Sequence, residues 1–305
     1  MHIVITACSS RKSCRAELGT AGRNLPFGSL SEVKDDWDRR IASAPLISTA
    51  QVLYRGRAFG LAVSAASSIS AELYIVSAGL GFVSANQTVP AYNLTVSKGS
   101  EDCVLDRITP GVSEADWWRT LISPEHVQST LRSADGLIFI GLGAAYLQML
   151  EPLLLDLPSE TIERLRIFTG APNTAIPRRL LAQTLPYDAR LDAAQGAIRG
   201  TKIDFASRAL HHFVTTIMID LPDGGVSEQA RLVESILKLS DRPMSPRGAR
   251  RSDADIKTLL RQHWGRAGGS TTKLLRVLRD ELAIACEQKR LVRLAGEVRC
   301  EAVLP

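Results

Sequence analysis

Residues 73–95 read LYIVSAGLGFVSANQTVPAYNLT, and the reading of this stretch decides the fold. LYIVS (73–77) is apolar, β-branched and aromatic with no turn residue inside it, the pattern of a strand buried within a sheet rather than of a surface helix. The end of such a strand should be a site. AGLG (78–81) follows at once, and its small side chains suit close approach of a ligand to the backbone around Ser77 and Gly79. VPAYN (89–93) then runs extended, because a proline disfavours helix in the residue before it, and brings Tyr92 and Asn93 near the strand end. An aromatic face beside an amide is what a pocket for a planar heterocycle would use.

The same theme of strand followed by small residues recurs along the chain. HIVIT (2–6) is a short β-branched strand, and ACSSRK (7–12) is the loop at its end, where Ser10, Arg11 and Lys12 can offer N–H groups and two cations to an anion. A capping turn with two solvated bases is the plainer alternative. Residues 19–38 are mixed and Gly-containing and read as a loop or short insertion. LYRGRAF (53–59) puts Arg55 and Arg57 on either side of Gly56, just ahead of the small-residue helix LAVSAA (61–66). Their partner is an anion at that helix N-terminus or, equally, nearby acidic side chains.

Residues 112–131 read as helical, with Ser113 and Asp116 spaced as a cap, and with Trp117 and Trp118 adjacent. Two neighbouring indoles are not expected to face the core together. DGLIFIGLG (135–143) is the next strand and turn, feeding a helix over 144–155; G-L-G alone lacks the third glycine of a dinucleotide fingerprint, so NAD is not inferred. LRIFTG (165–170) repeats the theme, and GTKID (200–204) opens the helix 205–219 with Lys202 and Asp204 in its first turn, where an acid acts as a cap.

Strands separated by helices predict an α/β fold, a parallel or mixed sheet covered by helices, with ligands at the carboxyl ends of the strands. The site should then collect residues 8–12, 77–93, Gly141 to Gly143 and Gly170. This domain is assigned to residues 1–220. Residues 221–251 read as a Pro/Gly linker, an amphipathic helix (227–240) and an exposed basic connector that includes Arg250 and Arg251. Residues 252–305 read as short helices around GGS (268–270), with Lys273, Arg276, Lys289, Arg290 and Arg293 outward, a small all-α module like a helix-turn-helix.

Composition narrows the function classes. The 305 residues suffice for one large core and an appendage, and no run approaches the ~18 apolar residues of a membrane span. Five cysteines without C-x-x-C spacing and no signal-like N-terminus predict reduced thiols, a cytoplasmic location and no zinc site. The charge is unevenly divided. Residues 241–305 hold 14 Lys+Arg against 8 Asp+Glu, which leaves 23 against 24 for residues 1–240. A near-neutral body with a basic appendage suits a domain held on a polyanion, and a nucleic-acid-binding module is favoured over a protein-docking bundle.

Four strings in order, ACSSRK (7–12), LYRGRAF (53–59), IVSAGLG (75–81) and PAYNLT (90–95), resemble a bacterial family with an N-terminal C-S-x-x-K signature. Close to it stand the anti-phage DNA glycosylases that excise α-glucosylated hydroxymethylcytosine from T-even phage DNA. The resemblance covers most of residues 1–210 and implies a DNA partner, base excision that leaves abasic sites, and neither metal nor organic cofactor. It further implies an everted nucleotide stacked on Tyr92 and read by Asn93, with Asp204 as the carboxylate that stabilises an oxocarbenium-like transition state. Arg11, Lys12, Arg55 and Arg57 would hold flanking phosphates, and Ser77 with its glycines would leave room for the sugar appendage. Asn93 stands where an aspartate is expected after the tyrosine, which suits base recognition rather than a general base. Two alternatives remain open from the sequence: a base-exchanging transglycosylase or other nucleotide-processing enzyme, and a nucleotide-sensing DNA-binding regulator.

Overall fold

The computed structural model describes residues 1–240 and 249–301. The chain divides into two compact units, Met1–Arg242 and Pro243–Pro305. In the first, the strands are β1 (Ile3–Ala7), β2 (Leu46–Thr49), β3 (Glu72–Ser77), β4 (Gly81–Ser84), β5 (Thr88–Pro90), β6 (Ile138–Gly141) and β7 (Leu165–Phe168). The helices that matter here are α1 (Leu30–Ser43), α2 (Arg57–Ser68), α3 (Glu114–Arg119), α4 (Pro124–Ser133), α5 (Ala144–Leu155), α6 (Phe205–His212) and α7 (Val226–Lys238).

Five strands form one sheet in the order β4-β3-β1-β6-β7. β3, β1, β6 and β7 are parallel, with Ile5 opposite Tyr74 on one side and Ile140 on the other, and β4 closes the edge antiparallel. Consecutive residues of β1, β6 and β7 are buried, so side chains on both faces are covered, as a parallel sheet flanked by helices requires. The α/β expectation therefore holds. β1 lies between β3 and β6, so the chain leaves β1 first toward one side of the sheet and later continues on the other. The carboxyl end of β1 is the point where the winding reverses, and crevices form there.

The turn after β3 is the most heavily bound segment of the body. Ser77 is fully buried, and its Oγ accepts from the Gly79 and Leu80 backbone N–H groups at 3.3 and 3.0 Å. The Tyr54 hydroxyl donates to Ser77 Oγ at 3.2 Å; Ser77 and Tyr92 lie 2.5 Å apart, and Tyr92 and Tyr54 2.8 Å. Three hydroxyls in such a ring can each donate once and accept once, so none is left unsatisfied in a dry interior. Two indoles hold the turn from outside it: Trp117 Nε1 donates to the Ala78 carbonyl at 2.8 Å and Trp37 Nε1 to the Gly79 carbonyl at 2.7 Å.

Several sequence expectations are corrected here. Residues 19–38 are not a loop throughout: α1 begins at Leu30 behind a capping box made by Ser29 and Glu32, and it buries Val33 and Trp37 one turn apart. Trp117 and Trp118 are both buried, because α3 is short and is covered by the 77–81 turn as well as by α5. Residues 112–131 form two helices, α3 and α4, parted by a turn in which Ser123 caps α4. The helix expected over 227–240 is present as α7. α7 packs Val233 and Leu237 into the main core, and its Gln229 accepts from the guanidinium of Arg166 on β7. Arg166 is 2 % exposed and has carbonyls of Glu163, Leu165 and Gly224 as its other acceptors, and burial lowers its pKa to about 10.

In the second unit, α8 (Asp253–Ala267), α9 (Thr271–Arg276) and α10 (Gln288–Glu301) enclose a small core of Ile256, Leu260, Leu274, Leu278, Leu291 and Leu294. Gly268 ends α8 in the left-handed conformation with φ 58°, and Ser270 caps α9. The module is helical as expected, apart from a two-residue parallel pair, β8 (Ala249–Arg250) with β9 (Ile284–Ala285). Most of the expected basic connector, residues 241–248, lies outside the described residues. No helix among the described residues is long and apolar enough to cross a membrane.

The packing of the turn makes a stability prediction. A Cβ on Gly79 would come within 2.5 Å of Tyr92 Cε2 and 2.8 Å of Cδ2, on a ring with no room to retreat. Gly79→Ala should therefore destabilise the protein by about 1–3 kcal/mol. Gly60→Ala, on α2 where an added Cβ meets nothing within 4 Å, should be neutral or stabilising by up to ~1 kcal/mol. Urea unfolding of the pair checks this, and equal stability of the two variants would contradict the packing.

Candidate functional site

At the carboxyl end of β1 a cleft of about 220 Å³ opens, lined by Cys8, Ser9, Ser10 and Lys12 from the β1 loop, by Asn93, Leu94, Thr95, Ser100 and Asp102 from the segment after β5, and by Tyr146 from α5. Pockets for drug-sized ligands run ~300–1,000 Å³, so this one takes a single ring or a phosphate rather than a whole nucleotide. Through Lys12 it adjoins the two buried tyrosines of the hydroxyl ring. Lys12 Nζ lies 4.4 Å from the Tyr92 ring centroid and 5.7 Å from that of Tyr54, and donates to the Ser9 carbonyl at 3.3 Å. Burial pulls the Lys12 pKa below the ordinary lysine value, against the opposing pull of Cys8 and Asp102. Burial also raises the pKa values of Tyr54 and Tyr92, which keeps both hydroxyls protonated and the ring of hydrogen bonds intact.

Local backbone pairing assembles the cleft. The segment after β1 lies along the one that leads into α2: Arg55 N–H donates to Arg11 O at 2.9 Å, Ser13 N–H to Leu53 O at 2.8 Å, and Lys12 bridges Tyr54 antiparallel. Gly56 joins them at φ 106°, a conformation that favours glycine, with Ser9 Oγ 3.2 Å from where a Cβ would stand. On the opposite wall, Asn93 is fixed by its backbone, donating to Thr20 O at 2.8 Å and accepting from Gly22 N–H at 2.6 Å. Asp102 is gripped by Arg23, whose Nε reaches Oδ1 at 3.0 Å and whose Nη2 reaches Oδ2 at 2.9 Å. Tyr146 OH and Cys8 Sγ are 3.3 Å apart. A larger hollow of about 420 Å³ beside Trp37, Leu46 and Leu80 holds only the paired Lys34 and Asp38 as charges, and lacks such convergence.

The structure brings Ser10, Lys12 and Asn93 together as the sequence suggested, with Arg11 and Arg55 exposed next to them and without ion pairs among the described residues. Other expectations change. Tyr92 offers no stacking face: it is 0 % exposed, covered by Lys12, and edge-on to Trp37 with centroids 6.0 Å apart. The aromatic side chain on the cleft is Tyr146. Ser77 and Gly79 leave no room for a sugar appendage, because Tyr92 and Trp37 fill the space that small residues left. Gly141 likewise yields to a helix, with Leu210 Cδ1 3.0 Å from its would-be Cβ.

Asp204 is the largest revision. It accepts from Thr201 N–H at 2.7 Å and Arg208 Nε at 2.9 Å, and Arg57 Nη1 lies 3.5 Å from its other oxygen. It makes no side-chain bond that caps α6, and the cleft lining does not include it. Arg57 is thus committed to Asp204 and to the Arg199 carbonyl rather than to an outside anion, and Lys202 is exposed nearby. The carboxylate on the cleft is Asp102, which sequence reading passed over along with Tyr146, whereas Cys8 lies in the 8–12 segment expected there. The only signal for Asp102 was local, one of two adjacent acids in the loop SKGSEDC (97–103), since its partner Arg23 is 79 residues away.

In the helical module, Arg290 and Arg293 are not free on the surface. Both bind Asp253, Arg290 Nε at 2.7 Å and Arg293 Nη2 at 2.7 Å, and Arg293 also reaches Glu297 at 2.8 Å, so they tie α10 to the start of α8. Arg250, Arg251, Lys273, Arg276 and Lys289 are exposed and carry no ion pair among the described residues. Among the described residues, no three His, Cys, Asp or Glu side chains are grouped to hold a metal ion. No protein-family model matches the chain, and no curated protein or solved structure was found to be similar to it.

Because burial lowers the Lys12 pKa, its neutral amine should appear at lower pH than that of an ordinary solvated lysine. Amine acylation followed by peptide mass spectrometry across pH checks the sign. A Lys12 midpoint at or above that of an ordinary solvated lysine would contradict the desolvated site.

Proposed function

We propose that this protein is a DNA N-glycosidase that removes a modified cytosine, with glucosylated hydroxymethylcytosine of phage DNA as the favoured substrate, and leaves an abasic site. One observation carries the reading: an amide, a carboxylate, an aromatic ring and a lysine converge on a ring-sized cleft at the reversal point of a doubly wound sheet. A base buried in a duplex is out of reach, so the nucleotide has to leave the stack. In the cleft, Tyr146 supplies the face and Asn93, which can both donate and accept, reads the polar edge of the base. The 220 Å³ hold the base alone, so an appended glucose stays at the open mouth.

Cleavage of the N-glycosidic bond builds positive charge on the sugar. The Asp102 carboxylate, held in place by Arg23, supplies the fixed negative charge that stabilises it. Arg11 and Arg55, unpaired at the rim, meet the flanking phosphates, and the exposed cations of the helical module hold the remaining DNA through its backbone. Asp204 has no part in the chemistry, because it is buried outside the cleft lining.

Incubation with glucosylated, hydroxymethylated and plain DNA, followed by mass spectrometry of released bases, tests this. Release of the modified base and alkali-labile sites in the DNA are expected. Release of nothing would overturn the proposal, and incorporation of labelled free base would make the protein a base exchanger instead. Asn93→Ala should abolish release with DNA binding intact, and Asp102→Asn should slow it by roughly 10²–10³. Removing residues 243–305 should weaken DNA binding and flatten its salt dependence, by roughly 0.9 in log–log slope for each phosphate that the module neutralises. An unchanged slope would detach the module from DNA binding.

A further inference from the structure

Lys12 is placed as no surface or ion-paired lysine would be. Its ammonium has one hydrogen-bond acceptor, the Ser9 carbonyl at 3.3 Å, and lies on the faces of two buried tyrosines. The carboxylate nearest in function, Asp102, is already held through both oxygens by Arg23, and Lys12 forms no ion pair among the described residues. Yet it lines the cleft together with Asn93, Asp102 and Tyr146. A phosphate clamp would keep its charge in water. An amine kept partly dry, with open positions on its nitrogen and facing the cleft, is instead arranged as a nucleophile.

We propose that Lys12 attacks the sugar and forms an imine with its C1′, which makes the protein a strand-cleaving lyase as well as a glycosidase. This rests on the N-glycosidase reading. The neutral amine bonds to C1′, the C1′–N bond breaks, and its electron pair leaves with the base, which takes a proton from water. The C1′–O4′ bond then opens; of the two amine protons one passes to O4′ and the other stays on the nitrogen of the protonated imine. Loss of a C2′ proton, to the hydroxide left when water protonated the base, expels the 3′-phosphate and cuts the strand, and hydrolysis of the imine returns the amine. With an abasic site already formed, the same imine arises from amine and aldehyde with loss of water. Desolvation lowers the pKa of Lys12, which favours the neutral form that this attack requires. The aromatic faces of Tyr92 and Tyr54 and the Ser9 carbonyl hold the nitrogen in place.

The test is borohydride trapping of the full-length protein on DNA that carries a preformed abasic site, which bypasses base excision. A stable protein–DNA adduct is expected, mapping to Lys12 by peptide mass spectrometry and falling to background in Lys12→Arg, a variant that keeps the charge and cannot form an imine. Lys12→Gln serves if the arginine does not fold, and the mapping on the unsubstituted protein needs no variant at all. No adduct, an adduct on another lysine, or undiminished trapping in Lys12→Arg would overturn the proposal. Base release from modified DNA is measured in parallel without borohydride. Release without trapping means that water is the nucleophile, and only the imine is lost; neither release nor trapping removes the N-glycosidase reading as well.

Discussion

The hydroxyl of Ser77 is the point on which the body is assembled. It terminates β3, accepts from two backbone N–H groups of the following turn, and closes a ring with Tyr54 and Tyr92, residues 23 and 15 positions away. Each hydrogen bond of this kind contributes only ~1 kcal/mol net, but an orphaned buried hydroxyl costs ~1–3 kcal/mol, so the three must be made together or not at all. That all-or-none condition fixes the end of β3, the segment before α2 and the segment after β5 against one another. The indoles of Trp37 and Trp117 add donors for the two carbonyls of the turn that no strand can satisfy. Lys12, which lines the cleft, rests on the two tyrosine rings of this knot.

The second organising constraint is where charge is spent. Arg57 and Arg208 are paired with Asp204 and Asp192, and Arg166 is surrounded by carbonyls with α7 supplying one acceptor. Arg290 and Arg293 are spent on Asp253 in the helical module. Removing one partner from such a buried or half-buried group leaves an uncompensated charge, so these arginines serve the fold. Among the described residues, the exposed cations without ion pairs include Arg11 and Arg55 beside the cleft and Lys273, Arg276 and Lys289 on the helical module. Chain-wide net charge thus overstates the positive surface open to a polyanion, and pairing decides which residues count.

Strands β1, β3, β6 and β7 were legible in the sequence because each is buried on both faces, which leaves an unbroken apolar run followed by small residues. α1 was not: of its 14 residues only Val33 and Trp37 are buried, so its apolar stripe is too thin to stand out from a polar loop. β2 and β5 were missed because they pair only with each other and are short. Within the site, Ser10, Lys12 and Asn93 were legible because they follow strand ends directly. The fate of Tyr92 was not, since only the arrival of Tyr54 and Lys12 covers its ring. Glycine meant close approach at Gly79 and Gly141, as expected, but the approaching atoms belong to Tyr92, Trp37 and Leu210 rather than to a ligand.

The account depends on the cleft beside Lys12 receiving the base of one nucleotide turned out of DNA. The most direct measurement is a crystal structure with duplex DNA that carries a stable abasic-sugar analogue opposite an intact strand. The account predicts the analogue inside the cleft, its C1′ position facing Lys12 and Asp102 with Asn93 on the side where the base was, and flanking phosphates near Arg11 and Arg55. An analogue left stacked in the duplex, or bound away from Lys12 and Asn93, would contradict it.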